Sequence, residues 1–489
     1  MSVGLSIAMT AAQSALKTSQ KQLTIISNNI AQSDNENYHR QSAIVTNSVM
    51  VVGDNAFYGT GSYVSSIVRY YNESLEKSLR TATSASSYAD SYYSSLSNME
   101  DILATDGEST LNNSMSGFAS ALEAVAANPE ETSYRETFIA SSEALADTFN
   151  LQYNNLANLR DSIATNDSTG SGELSTSCDE ANSILDQIAK LNDSISTYEN
   201  SLSNIGDANT LRDERDALCK ELSKYVSVTI SEESNSKYTI ELNLAAGTAT
   251  LIDGTTAGVT TADHLVMAMT ETSIGFYTPH MELASAAGVT VNLAPENGSI
   301  QAMLDGRAEI VTQMDALYTF ASSLSTAINT IQNSATGYDL YGNNNAGDLF
   351  QVETTGGGDQ PASGNILTVL ISDPKSIAAS TSATEQGNGE NAGAMWDKLD
   401  EAGTISGDSY LDHAQRLITS LAIDVSSAES TSDTLDSVTA MYQSSVDDYS
   451  GVSTDEELTN MLTIQRVYQA AARIITAVDE MMEIAINMV

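Results

Sequence analysis

The most regular pattern of hydrophobic positions in this chain lies in its last thirty residues. Read from Met461 in sevens, apolar side chains recur at the first and the fourth position of each heptad, and no Pro or Gly interrupts them. The seventh position is apolar as well, at Val467, Ile474, Met481 and Met488. This spacing predicts one long amphipathic helix. We define its first and fourth positions as the C-terminal seam: Met461, Ile464, Tyr468, Ala471, Ile475, Val478, Met482, Ala485 and Val489.

A second heptad pattern opens the chain and is thinner, with Ser19 as its weak position. It predicts a helix over residues 1–33. Its apolar positions form the N-terminal seam: Met9, Ala12, Leu16, Leu23, Ile26 and Ile30. An apolar stripe as large as the C-terminal seam must be covered, either by the chain's own core or by other molecules, because soluble monomers expose only a few hundred Å² in one patch. We hypothesise that the two seams pair with each other.

The two ends of the chain are complementary in charge. Residues 1–33 contain two lysines, Lys17 and Lys21, and no acidic residue. Residues 455–489 contain six acidic residues against Arg466 and Arg473. Both lysines fall outside the seam in the heptad register, so we expect the outward charges to face neighbouring subunits.

Between the ends, heptad-like spacing predicts further long helices and therefore an elongated helical bundle, which we call the shaft. These helices are predicted over 75–103, Leu111–Ala127, 138–163, 184–205, 211–225, 297–331 and Tyr410–Asp448. The five prolines all lie outside the apolar stripes, as a helical interior requires.

Short alternating segments rich in Val, Thr and Ile interrupt the helices after residue 225 and predict strands at Val226–Ile230, Tyr238–Leu244, Thr250–Ile252 and Gly288–Leu293. A Gly-rich loop region over 334–409 contains one further predicted strand, Ile366–Ile371. The predicted fold is mainly α with inserted β regions (α+β), elongated and multi-domain. We expect a terminal coiled-coil assembly domain, a helical shaft and a β-rich outer domain. The assembly domain is predicted to contain residues 1–33 and 455–489. The shaft is predicted to contain residues 34–230 and 295–454, and the outer domain residues 231–294.

Composition narrows the possible partners. The formal net charge of −44 argues against a phosphate-binding surface, so nucleic acid is not an expected partner. No apolar run approaches the length of about 18 residues that a membrane span needs, and the N-terminus lacks a basic region followed by an apolar one. A cytosolic protein and a protein exported without a cleaved signal peptide both fit these observations.

A search for chemistry finds no convincing site. The four histidines have no paired-ligand spacing, and the two cysteines, Cys178 and Cys219, have no CxxC spacing. The triplet Gly356–Gly358 lacks the Lys and Ser/Thr of a phosphate loop, and Asp339–Asp348 lacks the closing Glu of a calcium loop. We predict no catalytic, cofactor-binding or metal-binding residues, no cofactor and no enzymatic activity.

Several motifs nevertheless resemble one known family. Ser27–Ala31 with Tyr38–Gln41, and Ser450–Leu458 with Gln465–Ile475, are similar to the terminal signatures of bacterial flagellar axial proteins, and the Leu211–Asp216 segment narrows the likeness to the flagellar hook-associated protein 1 family at the hook–filament junction. That family usually has Thr-Pro-Gly before the tyrosine, where this chain has Asn35-Glu36-Asn37. The motif residues carried by the resemblance are Asn28, Asn29, Tyr38, Arg40, Gln41, Arg212, Asp213, Arg215, Asp216, Gln465 and Arg473.

The resemblance implies a structural adaptor that joins hook to filament and is needed for filament assembly. It implies a homo-oligomeric ring, contacts with hook protein and with the neighbouring hook-associated protein on the filament side, and an export chaperone. It also implies an extracellular location in the bacterial flagellum, reached by type III export. Two alternatives stay open: another axial protein, such as hook protein or a flagellin-like protein, and a cytosolic coiled-coil scaffold.

Overall fold

The protein is described from a computed structural model. The described residues are 2–53, 56–104, 110–200, 208–245, 247–255, 262–273, 276–284, 290–293, 295–344, 346–354, 360–403 and 405–487. The Gly356–Gly358 triplet, Leu202, Ile205, Met488 and Val489 lie outside them, as does the side chain of Ala485.

Helices account for most of the described chain. Ten α-helices occur in these residues: α1 Ser2–Ala31, α2 Glu73–Leu103, α3 Leu111–Ala127, α4 Thr132–Ile163, α5 Glu173–Glu199, α6 Asn209–Tyr225, α7 Ser299–Gln332, α8 Glu390–Asp400, α9 Tyr410–Ser450 and α10 Thr454–Asn487. Helix α3 shows how local sequence fixes a boundary: the Thr110 side chain accepts a hydrogen bond from the Asn113 amide at its start, and Pro129 follows its C-cap residue Asn128.

The strands form small antiparallel sheets. They are β1 Gln41–Asn47, β2 Met50–Gly53, β3 Ala56–Gly59, β4 Ser62–Arg69, β5 Val228–Glu232, β6 Tyr238–Leu244, β7 Gly247–Ile252, β8 His264–Ser273, β9 Phe276–Ala284, β10 Thr290–Leu293, β11 Phe350–Val352 and β12 Leu367–Val369. The pairings are β1 with β4, β2 with β3 and β11 with β12, and two sheets have three strands, in the orders β5-β6-β7 and β10-β9-β8. The prediction of a mainly α fold with inserted β regions is confirmed.

The chain divides into two compact units. The first contains residues 1–85, 181–264 and 436–489, and the second contains residues 86–180 and 265–435. The β-rich stretch that we expected as one outer domain contains two separate three-stranded sheets, and the division passes between His264 and Leu265. The predicted division into assembly domain, shaft and outer domain describes the roles of these parts in assembly, and it stays a prediction.

In the first unit, α1 contacts α10 on one side and the β1–β4 hairpin on another. Small polar residues make the hairpin contact close. The Ser14 and Thr18 hydroxyls both donate to the carbonyl oxygen of Ser62, at 2.6 and 2.8 Å, and the Ser62 amide donates back to Ser14 Oγ at 2.8 Å. Helix α1 is therefore held between the hairpin that follows it in sequence and α10 at the other end of the chain.

Two glycines permit close backbone approaches in this unit. Gly61 has φ of +106°, and a Cβ placed there would overlap the side chain of Ser14. Gly451 forms the turn between α9 and α10, where a Cβ would overlap the carbonyl oxygen of Asp447. Gly451 thus sets the direction in which α10 leaves α9.

Gly61→Ala should loosen the hairpin from α1. The added methyl group meets Ser14, and a positive φ disfavours alanine, so we expect a loss of about 1–3 kcal/mol in the local free energy of opening. Hydrogen exchange of the β1 and β4 amides would measure it. Gly59→Ala is the matched control, because nothing lies within 4 Å of a Cβ built there. Equal protection in the two variants would contradict the argument.

Candidate functional site: the terminal helix pair and the adjoining ion cluster

The structure brings the two seams to contacting helices. Every described C-terminal seam position has reduced exposure, and Ala471 and Val478 are only 4% and 2% exposed. The six N-terminal seam residues are also buried or half-buried, with Ala12 and Ile26 buried. Because α1 contacts α10, apolar surface at the seams has its cover inside the chain. The assignment of these residues as an assembly seam stays a prediction.

A second apolar stripe on α10 has no such cover. Its members recur at alternating spacings of three and four residues, and all are exposed, the four largest by 45–60%. At 100° per residue this stripe is centred about 110° around the helix from the seam. We call it the outer stripe: Val467, Ala470, Ile474, Ala477, Met481 and Ile484.

The Asn29 side chain forms hydrogen bonds to the segment that follows α1. Its side-chain oxygen accepts a hydrogen bond from the Tyr38 hydroxyl at 2.7 Å and from the Gln41 amide at 3.1 Å, while its amide donates to the Gln41 carbonyl at 2.9 Å. The neighbouring Asn28 is exposed. Of the two motif asparagines, Asn29 is therefore the one that fixes the geometry.

The turn between α1 and Tyr38 forms without the usual Thr-Pro-Gly of the family. Asn35 replaces it: its amide donates to the Gln32 carbonyl, its side-chain oxygen accepts from the Asn37 amide, and its carbonyl accepts from the Tyr38 amide. Asparagine side chains commonly stabilise such turns by bonding to the backbone two residues on. A turn therefore forms here although the sequence differs from the family pattern.

Arg40 connects this segment to the start of α10. Its amide donates to the Ser450 carbonyl at 2.8 Å, and its guanidinium lies 4.2 Å from the centre of the Tyr70 ring and 3.3 Å from Glu456. The Glu456 side chain is largely exposed, so the ion pair itself contributes little. The backbone and aromatic contacts carry the connection.

A buried ion cluster lies next to the helix pair and is centred on Asp213 and Asp216 of α6. Arg69 of β4 donates to both carboxylates, at 2.7 and 2.8 Å. His39 lies 2.8 Å from Asp213 through Nδ1 and 3.3 Å from Glu76 of α2 through Nε2. The cluster therefore joins α6 and β4 directly and reaches α2 through His39, which lies in the segment after α1.

The two arginines of the Leu211–Asp216 motif have different roles. Arg215 is fully buried; it donates to Asn192 and to the Ser236 carbonyl, both at 2.8 Å, and lies 3.4 Å from the ring centre of Tyr238. The Tyr238 hydroxyl in turn donates to Asp216 at 2.7 Å.

Arg212 lies at the edge of the motif and pairs outward. It binds both oxygens of Glu199, at 2.8 and 2.9 Å, and Glu232 at 2.7 Å. Each arginine therefore joins α6 to α5 and to the β5–β6 hairpin, Arg215 on the inside and Arg212 near the surface.

Electrostatics follow from this packing. Burial alone would lower the pKa of His39, but its hydrogen bonds to Asp213 and Glu76 outweigh burial and raise the pKa to about 9. Burial would raise the pKa of Glu199, but Arg212 and the Ala208 amide outweigh it and lower the pKa to about 2. His39 is therefore protonated at neutral pH and acts as a cation of the cluster.

His39, Asp213 and Asp216 could by spacing hold a metal ion, since one donor atom of each lies within 4.8 Å of the others. The chemistry of the donors does not fit one. Arg69 already binds both carboxylates, and a protonated imidazole cannot ligate a metal. The cluster is best described as a structural ion network.

The remaining motif residues lie elsewhere, since Gln465 and Arg473 are exposed on α10. Sequence reasoning did not predict Arg69, Glu76, Asn192 or Tyr238 as partners of the motif. Only His39 had a local signal, because it lies between the motif residues Tyr38 and Arg40.

Comparison with known proteins agrees with these motifs. Residues 96–350, 255 of the 489, match the family model described as flagellar hook-associated protein FlgK helical domain. The chain belongs to the FlgK family. Residues 443–488 also match a model described as flagellar basal body rod FlgEFG protein C-terminal.

Individual FlgK relatives cover most of the chain. Flagellar hook-associated protein 1 of Bacillus subtilis is 27% identical over 97% of this chain and 97% of its own length. The protein of the same name from Salmonella typhimurium is 30% identical over 70% of this chain and 58% of its own. The solved flagellar hook junction protein FlgK from Burkholderia pseudomallei aligns with a TM-score of 0.61 at 14% identity, over 76% of this chain and 99% of that one, which shows the fold.

Asp213→Asn should destabilise the first unit strongly, because it removes the anion that pairs with both Arg69 and His39. Breaking a buried ion pair from one side costs about 3–5 kcal/mol. Glu232→Gln is the control, since it removes only the more exposed partner of Arg212 and should cost less than about 1 kcal/mol. Hydrogen exchange of the α6 amides measures both. Similar costs would mean that the cluster is not what holds α6.

His39 should make the stability of this unit depend on pH. Its folded pKa is raised, so its stabilisation is complete below the ordinary histidine value near 6.5 and disappears as pH rises through about 9. The difference in α6 protection between the native protein and His39→Gln should therefore shrink by on the order of 2–3 kcal/mol across that range. A difference that is constant with pH would mean that His39 is not charged there.

Proposed function

We propose that this chain is the adaptor that joins the flagellar hook to the filament and that filament assembly requires it. Membership of the FlgK family and a relative matched over 97% of both chains support a structural role in the flagellum. The observation that carries the adaptor proposal is the outer stripe of α10. It is an apolar surface on the terminal helix pair that the chain itself leaves exposed.

The physical argument concerns surface area. The outer stripe exposes on the order of 400 Å² of apolar surface, which is the size of the largest patch on a typical soluble monomer, and such patches are often functional. Covering it contributes roughly 25 cal/mol per Å² before the costs of association. Neighbouring copies in a ring would provide that cover, with the seams holding each copy's own two helices together.

The remaining proposed partners are those that the family resemblance implies. Hook protein on one side and the next hook-associated protein on the filament side would contact the ring. Before assembly, an export chaperone that shields α10 would prevent aggregation through the outer stripe. The described residues contain no helix that is long and apolar enough to cross a membrane. We propose an extracellular location reached by flagellar export, and no enzymatic activity.

One observation favours a second candidate. Residues 443–488, which contain the end of α9 and all of α10, match the model described as flagellar basal body rod FlgEFG protein C-terminal, so this segment is similar to the C-terminal segment of rod proteins. A role elsewhere along the flagellar axis is the alternative, and it would also use the outer stripe.

The test is complementation of cells that lack this chain. Such cells should carry hooks without filaments and should release flagellin into the medium, and the native chain should restore filaments. Ile474→Ser with Met481→Ser should reduce filament number at least tenfold although the variant is exported, because serines cannot drive burial of the stripe. Electron microscopy counts the filaments.

The matched control is Ile423→Ser, which alters an isolated exposed isoleucine on α9 and should leave filament number unchanged. Cells that lack the chain and still grow filaments would overturn the adaptor role. Normal filaments with the double variant would overturn only the role of the stripe.

A further inference from the structure

The terminal helix pair carries a belt of positive charge in a strongly acidic chain. Residues 2–33 and 458–478 contain four basic residues and no acidic one, although the whole chain has a net charge of −44. All four are exposed, and within the described residues none has a carboxylate at ion-pair distance. We call Lys17, Lys21, Arg466 and Arg473 the basic belt.

The four cations lie within about 10 Å of one another along the axis of the helix pair. Ile26 of α1 and Ile464 of α10 line the same groove of about 230 Å³, which sets the antiparallel register of the two helices. Nine residues back from Ile26 is Lys17, and nine residues on from Ile464 is Arg473. Lys21 and Arg466 fall between these limits, so the belt is compact.

A complementary cleft lies at the end of the same helix pair. Its volume is about 600 Å³, and it is formed by the turn after α1 and the turn between α9 and α10. Five carboxylates line it, with Arg40 as the one cation among the lining residues: Asp34, Glu36, Asp447, Asp448 and Glu456. All five are exposed.

The belt cannot reach the cleft of its own chain. Lys17 and Lys21 lie 14 and 10 residues before Ala31, where α1 ends, and so are about 21 and 15 Å along the helix from the turn that carries Asp34 and Glu36. No lysine side chain spans either distance. Two surfaces of opposite charge that cannot meet within one copy can meet between copies, and a contact between two different surfaces repeats from copy to copy into rings or helical rows.

We infer that the basic belt of one copy docks into the acidic cleft of the next. This inference rests on the proposed self-assembly and names the contact that sets its register. Copies with a charge of −44 repel one another at close approach, so a stable interface must bring the few exposed cations against carboxylates. Adjacent copies that make this contact are offset along α1 by about 15–21 Å.

Charge reversal tests the contact with the full-length chain and hooks isolated from cells that lack it. Lys17→Glu with Lys21→Glu should weaken incorporation about tenfold, because two attractive pairs become repulsive. Adding Glu36→Lys and Asp448→Lys to the same chain should restore incorporation to within about threefold of the native value. Within the described residues neither Glu36 nor Asp448 forms an ion pair, so the rescue reports a contact between copies.

Lys77→Glu with Lys190→Glu is the matched control, since both lysines are exposed in the same unit and the charge change is equal. It should leave incorporation within about twofold of native. Circular dichroism confirms that each variant is folded. Native incorporation by the belt variant, or a swapped chain that is folded but not rescued, would overturn the inference.

A second readout needs no substitution. A zero-length carbodiimide should couple Lys17 or Lys21 to a cleft carboxylate between copies in the assembled state and not in dilute monomer. Raising the salt concentration from about 0.1 to 1 M, where screening shortens from about 10 to 3 Å, should weaken native incorporation. Cross-links from the belt only to other surfaces would contradict the docking. A native chain that fails to bind hooks at all would instead overturn the proposed function.

Discussion

Helix α10 has two apolar stripes, and the chain covers only one of them, with α1. The seam of α10 lies against α1, whereas the outer stripe, about 110° further around the helix, lies exposed. Burial of the seam within the chain leaves the outer stripe exposed, so under the proposed function folding and assembly would use different faces of one helix.

The terminal pair can act as a docking element only if it is held at a fixed angle to the rest of its unit, and the ion cluster supplies that hold. Hydrophobic contacts alone would allow α1 and the hairpin to slide, since apolar burial is not directional. Charged hydrogen bonds are directional, and Asp213 engages both Arg69 and His39 within 2.8 Å. Buried ion networks contribute modest net stability, so their value here is geometric.

The sequence predicted the periodic parts of this molecule well. The helix Leu111–Ala127 has the predicted bounds, and α9 extends the predicted end by two residues, because heptad spacing and local signals such as Pro129 are visible along the chain. Strands β8 and β9 were missed, since their mixed Met, Thr and His content gives no clean alternation. Helix α8 was missed as a short helix inside a Gly-rich stretch.

The ion cluster could not have been predicted from spacing. His39, Arg69, Glu76 and Asp213 are separated by up to 174 residues, and only the fold brings them together. The motif identified Asp213 and Asp216 as notable but not their partners. The chain contains 64 acidic residues, so sequence spacing alone does not identify which of them pair with a given basic residue.

The distribution of cations explains why the terminal pair stands out. Arg69, Arg80, Arg135, Arg160, Arg215, Arg307 and Lys237, seven of the twenty basic residues, are buried or paired in the interior. Surface cations are therefore scarce, and the surface is more acidic than composition alone suggests. Four of the exposed cations lie within about 10 Å along one helix pair, so the attraction available to this acidic surface is concentrated there, at the place where the proposed contact between copies would form.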